Sequence, residues 1–243
     1  MTKFEHPHVI LPVIHVEHPA EMLTNATLAR SCGCDGVFLI AHVGNYFQLE
    51  KFYNLLRKEL PDWWIGINAL DLHPTVTFDK IEHGLFPGVN GVWDDNAEIF
   101  HNQDASDQPL AKKIWEGKSV LDLLYFGGVA FKYVHPLLAN PQTDEARIAV
   151  VDAARAAKDY MDVVVTSGPG TGHAADVSKI ESMASACTPT PLGIASGLTL
   201  DNVHNYLPYA KFLLVATGIS DTWTKFNPDL LQAFVDKVRV WGG

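Results

Sequence analysis

Gly193-Ile194-Ala195-Ser196-Gly197-Leu198-Thr199 and Leu213-Leu214-Val215-Ala216-Thr217-Gly218-Ile219-Ser220 share one design, a short apolar run that ends in a loop of small residues. A stretch with helical spacing lies between them. The last two strand-loop units of a barrel that grips phosphate read this way. Glycine lets the backbone approach an anion, N–H groups can point inward, and a following helix N-terminus adds partial positive charge. A Ser-Gly-x-Thr loop also serves as an ordinary turn, so its weight comes from its rank in a series.

Working outward, the series is regular. An apolar run over 9–16 precedes a stretch over 19–30 in which Ala20, Leu23, Ala26, Thr27 and Ala29 recur at helical spacing. The pattern repeats as strand 36–43 with helix 47–60, strand 63–70 with helix 76–85, and strand 89–93 with helix 109–116. It continues as strand 121–131 with helix 144–159 and strand 162–166 with helix 176–186. The two opening units, with helices over 199–206 and 228–240, complete it. Eight strand-then-helix units with near-continuous apolar strands predict an α/β fold, a closed (βα)8 TIM barrel filling 1–243 as one domain. An open doubly wound sheet would carry a Gly-rich dinucleotide fingerprint after the first strand, where this chain has His15-Val16-Glu17-His18-Pro19. No cofactor is expected.

Composition narrows the partners. The 243 residues are 47% hydrophobic and 19% charged, with a net charge of -10. That sign argues against a nucleic-acid backbone or an anionic membrane, so an anionic ligand would need a local site. No apolar stretch approaches the roughly 20 residues of a membrane span, and Met1-Thr2-Lys3-Phe4-Glu5-His6-Pro7 lacks signal-peptide order, so no membrane insertion and a cytoplasmic location are expected. A homo-oligomer is compatible with the pattern. Cys32, Cys34 and Cys187 are read as ordinary thiols.

In a barrel, residues just after each strand converge at one mouth. Here they are His15 and Glu17, His42 and Asn45, Asn68 and Asp71, Asp94 and Asp95, Lys132 and His135, Thr166 and Ser167, Ser196, and Thr217. Lys132 ends an apolar run, where desolvation would lower its pKa and suit it to proton transfer, Schiff-base formation or anion pairing. Asp94 and Asp95 offer a general base or a turn cap. The catalytic candidates are Lys132, Asp94 and His15. Ser196, Gly197, Thr217 and Gly218 are the phosphate-binding candidates. Asn68, with the sixth loop's Thr166, Ser167, Gly168, Thr171 and Gly172, would contact substrate or form a lid. No metal site is expected, because His15 and His18 are three apart and diverge on an extended chain. His6, His8, His83, His101 and His204 are expected at solvated positions.

Ser167-Gly168-x-x-Thr171-Gly172 followed by Asp176, Ser196-Gly197-Leu198-Thr199 with Asn202, and Asn227-Pro228 together resemble the BtpA family of barrels, which includes SgcQ-like proteins. Phe131-Lys132-x-x-His135-Pro136 fits the same pattern. The resemblance spans nearly the whole chain and implies a barrel of the ribulose-phosphate-binding group. One branch of the family is associated with photosystem I assembly and others lie near sugar metabolism. The chain departs from the family at Ala41-His42, where the family has Glu-Asn, and at Gly128, Tyr133 and Ser220, which marks a diverged subgroup. The leading expectation is an enzyme acting by acid-base chemistry on a small phosphorylated sugar or phosphoribosyl compound. A non-catalytic assembly or regulatory factor and a metal-dependent hydrolase are the alternatives.

Overall fold

The computed structural model describes residues 4–42, 46–104 and 106–241. Eight parallel strands close into a barrel in chain order: β1 (Val9–His15), β2 (Gly36–Ala41), β3 (Trp64–Ala69), β4 (Gly91–Asp94), β5 (Leu124–Gly128), β6 (Val163–Thr166), β7 (Leu192–Ala195) and β8 (Phe212–Val215). Pairing of Val9 with Phe212 and of Leu11 with Leu214 joins the first strand to the last. The α-helices are α1 (Pro19–Ser31), α2 (Tyr46–Glu59), α3 (Pro74–Glu82), α4 (Pro109–Lys118), the one-turn α5 (Pro136–Ala139), α6 (Asp144–Ala157), α7 (Val177–Cys187) and α8 (Pro228–Arg239). A short antiparallel hairpin, β9 (Ser220–Thr222) with β10 (Lys225–Phe226), is inserted between β8 and α8.

Alternation along each strand builds two cores. Val9, Leu11 and Val13 of β1 face the barrel interior, whereas Ile10 and Ile14 face the helices. The interior is filled by large rings: Phe38 meets Trp64 and Phe126 at centroid distances of 5.1 Å, and Phe126 meets Phe212 at 5.1 Å. Each such ring contributes about 1.5–3 kcal/mol by leaving water, provided the neighbours make room. Glycines make it. A Cβ on Gly66 would lie 2.3 Å from a Phe38 ring carbon, and one on Gly91 would lie 2.6 Å from the Trp64 ring.

The end opposite the mouth is held by buried ion pairs. Lys118 Nζ lies 2.7 Å from Asp162, whose carboxylate also accepts the Tyr125 N–H. Arg239 reaches from α8 to Asp35 at 2.7 Å and to the His8 carbonyl at 2.6 Å, tying the last helix to the strands that close the barrel.

Several local expectations need correction. The segment 199–206 forms turns and one 3-10 turn (Val203–Asn205) in place of a helix. β5 ends at Gly128, so Lys132 lies beyond the strand. His8 is buried, with Nδ1 3.1 Å from the Ala210 carbonyl oxygen and its ring edge-on to Trp241. The three cysteines are free and buried. No helix among the described residues is long and apolar enough to cross a membrane.

Candidate functional site

A cavity of about 230 Å³ opens at the C-terminal ends of the strands. Its floor is apolar, made by Val13, Ile40, Trp93 and Leu214, because these inward positions belong to the barrel core. Lys132, Asp95, His15 and His42 stand above that floor with the hydroxyls of Thr171, Ser196 and Thr217. Asn45, expected at this mouth, lies outside the described residues.

Lys132 reaches the cavity from an irregular turn. Ala130 and Tyr133 on either side take φ of 49° and 65°, and the Lys132 N–H donates to Ser167 Oγ at 2.8 Å. Burial lowers the Lys132 pKa, partly offset by the nearby Asp95. Asp95 feels the reciprocal pull: burial raises it to about 6 against Lys132 and a 3.2 Å hydrogen bond from Asn68 Nδ2. An amine lowered and a carboxyl raised in one cavity narrow the gap between the ion pair and the neutral pair, which lowers the cost of moving a proton between them.

Asp94 does not join them. Its neighbour Trp93 faces the interior, so strand alternation turns Asp94 toward the barrel wall. There Oδ1 accepts the Asn96 N–H at 2.7 Å, while Oδ2 is sealed from solvent beside the buried Tyr125 hydroxyl, with no hydrogen bond of good geometry between them. Burial raises the Asp94 carboxyl to about 7. Asp94 borders a second cavity of about 430 Å³ with Asp71, Asp95 and Glu98. Among the described residues no group of three or more His, Cys, Asp or Glu side chains is placed to hold a metal ion.

His15 and His42 form a unit across the cavity, with His15 Nδ1 2.7 Å from His42 Nε2. Trp223, at the tip of the β9–β10 hairpin, stacks on His15 at 3.8 Å between centroids. Burial pushes His15 down to about 3, with His42 and Lys132 adding to the shift, so His15 is a neutral imidazole. Sequence reading missed Trp223; the available signal was an aromatic in a polar insertion between the last strand and helix. Asn25 of α1 secures the hairpin by donating to the Thr224 carbonyl at 2.7 Å and accepting the Phe226 N–H at 3.1 Å.

The glycine loops after β6, β7 and β8 pack on one another. A Cβ on Gly197 would lie 2.2 Å from the His173 carbonyl oxygen, one on Gly168 equally close to it, and one on Gly218 1.9 Å from the Leu198 carbonyl oxygen. Ser196, at φ 110°, donates from Oγ to the Gly170 carbonyl at 2.8 Å, and Thr199 forms a β-bridge with Gly218. Hence Ser196, Thr217, Thr171 and Gly172 line the cavity, whereas Gly197, Gly218, Thr166, Ser167 and Gly168 do not. Thr166 and Ser167 are fully buried; Thr166 Oγ1 donates to the Ala130 carbonyl at 3.3 Å. Asn68 is buried below the rim, and its Oδ1 has no hydrogen-bond partner. The motif residues Asp176, Asn202 and Asn227 act on the backbone. Asp176 caps α7, Asn227 caps α8, and Asn202 clamps the β7 loop through the Thr199 N–H and the Gly197 carbonyl.

No protein-family model and no curated protein matches the sequence. Solved structures do resemble the fold. Phosphoribosyl anthranilate isomerase from Thermus thermophilus aligns with a TM-score of 0.63 at 12% identity, over 95% of this chain and 98% of that one. Phosphoribosyl anthranilate isomerase in complex with reduced 1-(o-carboxyphenylamino)-1-deoxyribulose 5-phosphate gives 0.64 at 13%, over 96% and 100%. KDPG aldolase from Legionella pneumophila, with pyruvate captured as a covalent carbinolamine, gives 0.60 at 13%, over 96% and 95%. These neighbours are TIM barrels of the ribulose-phosphate-binding group, and at such identities the likeness shows the fold.

Proposed function

We propose that this barrel is an enzyme that binds a small phosphorylated sugar or phosphoribosyl compound at its C-terminal mouth and acts on it by acid-base chemistry. It is a diverged member of the BtpA-like barrels. Lys132 and Asp95 exchange the proton, in place of Lys132 and Asp94. The carrying observation is their joint burial in one cavity, each perturbed toward its neutral form. The neutral His15–His42 pair stands opposite and serves as a hydrogen-bond donor or acceptor to the substrate. At the lip Thr171 and Thr217 offer hydroxyls to the phosphate, while the Ser196 hydroxyl is spent on the Gly170 carbonyl. Support for a phosphorylated ligand comes from the phosphoribosyl isomerase neighbours and from the rank of the β7 and β8 loops.

Replacing Lys132 by methionine keeps the apolar stem and removes the amine. Turnover of the substrate should fall at least about 100-fold, the low end for a lost acid-base group, while Tm holds. A fully active Lys132→Met enzyme removes the lysine from the chemistry. Addition of the same amine to a substrate carbonyl, giving a carbinolamine that loses water to an imine, is a second reading, favoured by its lowered pKa and by the aldolase neighbour. Borohydride added with a carbonyl substrate separates the two, since only the second leaves Lys132 alkylated.

A further inference from the structure

Lys179 projects from the first turn of α7 into the protein and is 3% exposed. Its ammonium donates to three backbone carbonyls: Ser167 at 2.8 Å, Ala130 at 2.9 Å and Ala139 at 3.2 Å. Those carbonyls come from the end of β6, the turn after β5 and the end of α5. All three donors of one side chain are thus spent on three converging segments, and none on a carboxylate. Burial pulls the Lys179 pKa down to about 7 while Asp176 holds it up, and three acceptors require the protonated form. An apolar side chain here would leave these buried carbonyls without their ammonium donor, so the charge fixes the three segments that present them.

What it orients is the turn that bears Lys132. Ala130 takes a left-handed φ two residues before Lys132, and its carbonyl is held by Lys179 and by Thr166 Oγ1. Ser167 gives its carbonyl to Lys179 and accepts the Lys132 N–H on its hydroxyl. We propose that Lys179 is a positioning residue, which locks the Ala130–Tyr133 turn against the end of β6 and so holds the Lys132 amine in the cavity beside Asp95. Lys179 itself lines no part of the Lys132 cavity. The inference rests on the reading of Lys132 as the amine that handles the proton, but its test needs no substrate.

The test is competitive acetylation with trace acetic anhydride over a pH series, with Lys132 read by peptide mass spectrometry in the full chain. In Lys179→Met, Lys132 should leave its desolvated position and titrate higher than in the wild type, with the other lysines unchanged. Lys179→Arg, which restores several donors, should return Lys132 part of the way. A folded Lys179→Met protein whose Lys132 titrates as in the wild type overturns the proposal. If Lys179→Met does not fold, Lys179→Gln carries the test, because it removes the charge and at least one of the three donors. An upward shift there supports the lock, and an unshifted Lys132 overturns it. Loss of positioning in these variants is distinct from failure of the functional reading, which Lys132→Met addresses.

Discussion

Asp94 and Asp95 are neighbours in sequence and meet different surroundings, one with a carboxylate oxygen sealed beside Tyr125 and one beside Lys132. For Asp94 the consequence is a pH-dependent cost. A carboxyl raised from 3.8 to about 7 on folding weakens the fold as it ionises. The cost is absent below about pH 4, grows up to about pH 7 and is complete above it. At about 1.4 kcal/mol per pH unit its upper limit is about 4 kcal/mol. Asp94→Asn keeps an acceptor for the Asn96 N–H, so this variant should melt above the wild type at pH 8 and show little gain at pH 4. Thermal melts at the two pH values check this; an equal gain at both would place the effect elsewhere. Which of the two aspartates faces the cavity was not legible in the sequence. It depends on strand parity, and the pattern Gly91-Val92-Trp93-Asp94-Asp95 does not say where the strand ends. The desolvation of Lys132 was legible, but its cause was not: the strand ends at Gly128 and the turn at Ala130 carries the side chain into the cavity.

At the scale of elements, the eight strands could be read because both faces of a parallel strand are buried, which makes each an apolar run. The helices between them carried the complementary spacing. The β9–β10 hairpin could not be read: its strands are of two and three residues, and Ser220-Asp221-Thr222 is polar. Yet it delivers Trp223 to His15, and α1 holds it through Asn25 alone among the hydrogen bonds described above. Asn25→Ala removes two hydrogen bonds and leaves a buried N–H at Phe226, a loss of about 1–3 kcal/mol. Released from Trp223, His15 should regain water, and its pKa should rise from about 3 toward 6.5. Histidine ring resonances followed by NMR through a pH titration measure this. A His15 that still titrates near 3 would mean that the hairpin does not bury it. The glycine loops were legible as special, whereas their packing on one another was not. Gly197 and Gly218 make room for neighbouring backbone, so an aspartate at Gly197 would break the loop packing before it tested any ligand.

At the scale of the whole molecule, a chain with net charge -10 places the Lys132 amine beside a carboxyl and rings the cavity with hydroxyls. Such a mouth can bind an anion only through local donors, because the long-range field opposes it. The ion pairs, Arg239 with Asp35 and Lys118 with Asp162, lie at the opposite end, which leaves binding to the loops. Thr217 is exposed at the lip, so Thr217→Asp puts a negative group at the proposed phosphate position without disturbing the core. Calorimetric titration of ribose 5-phosphate and of ribose into the wild type and Thr217→Asp tests the central claim most directly. The account predicts that the wild type binds the phosphorylated sugar in clear preference to ribose, and that Thr217→Asp loses that preference while its Tm is retained. Equal binding of both sugars by the wild type, or an undiminished preference in Thr217→Asp, would contradict it.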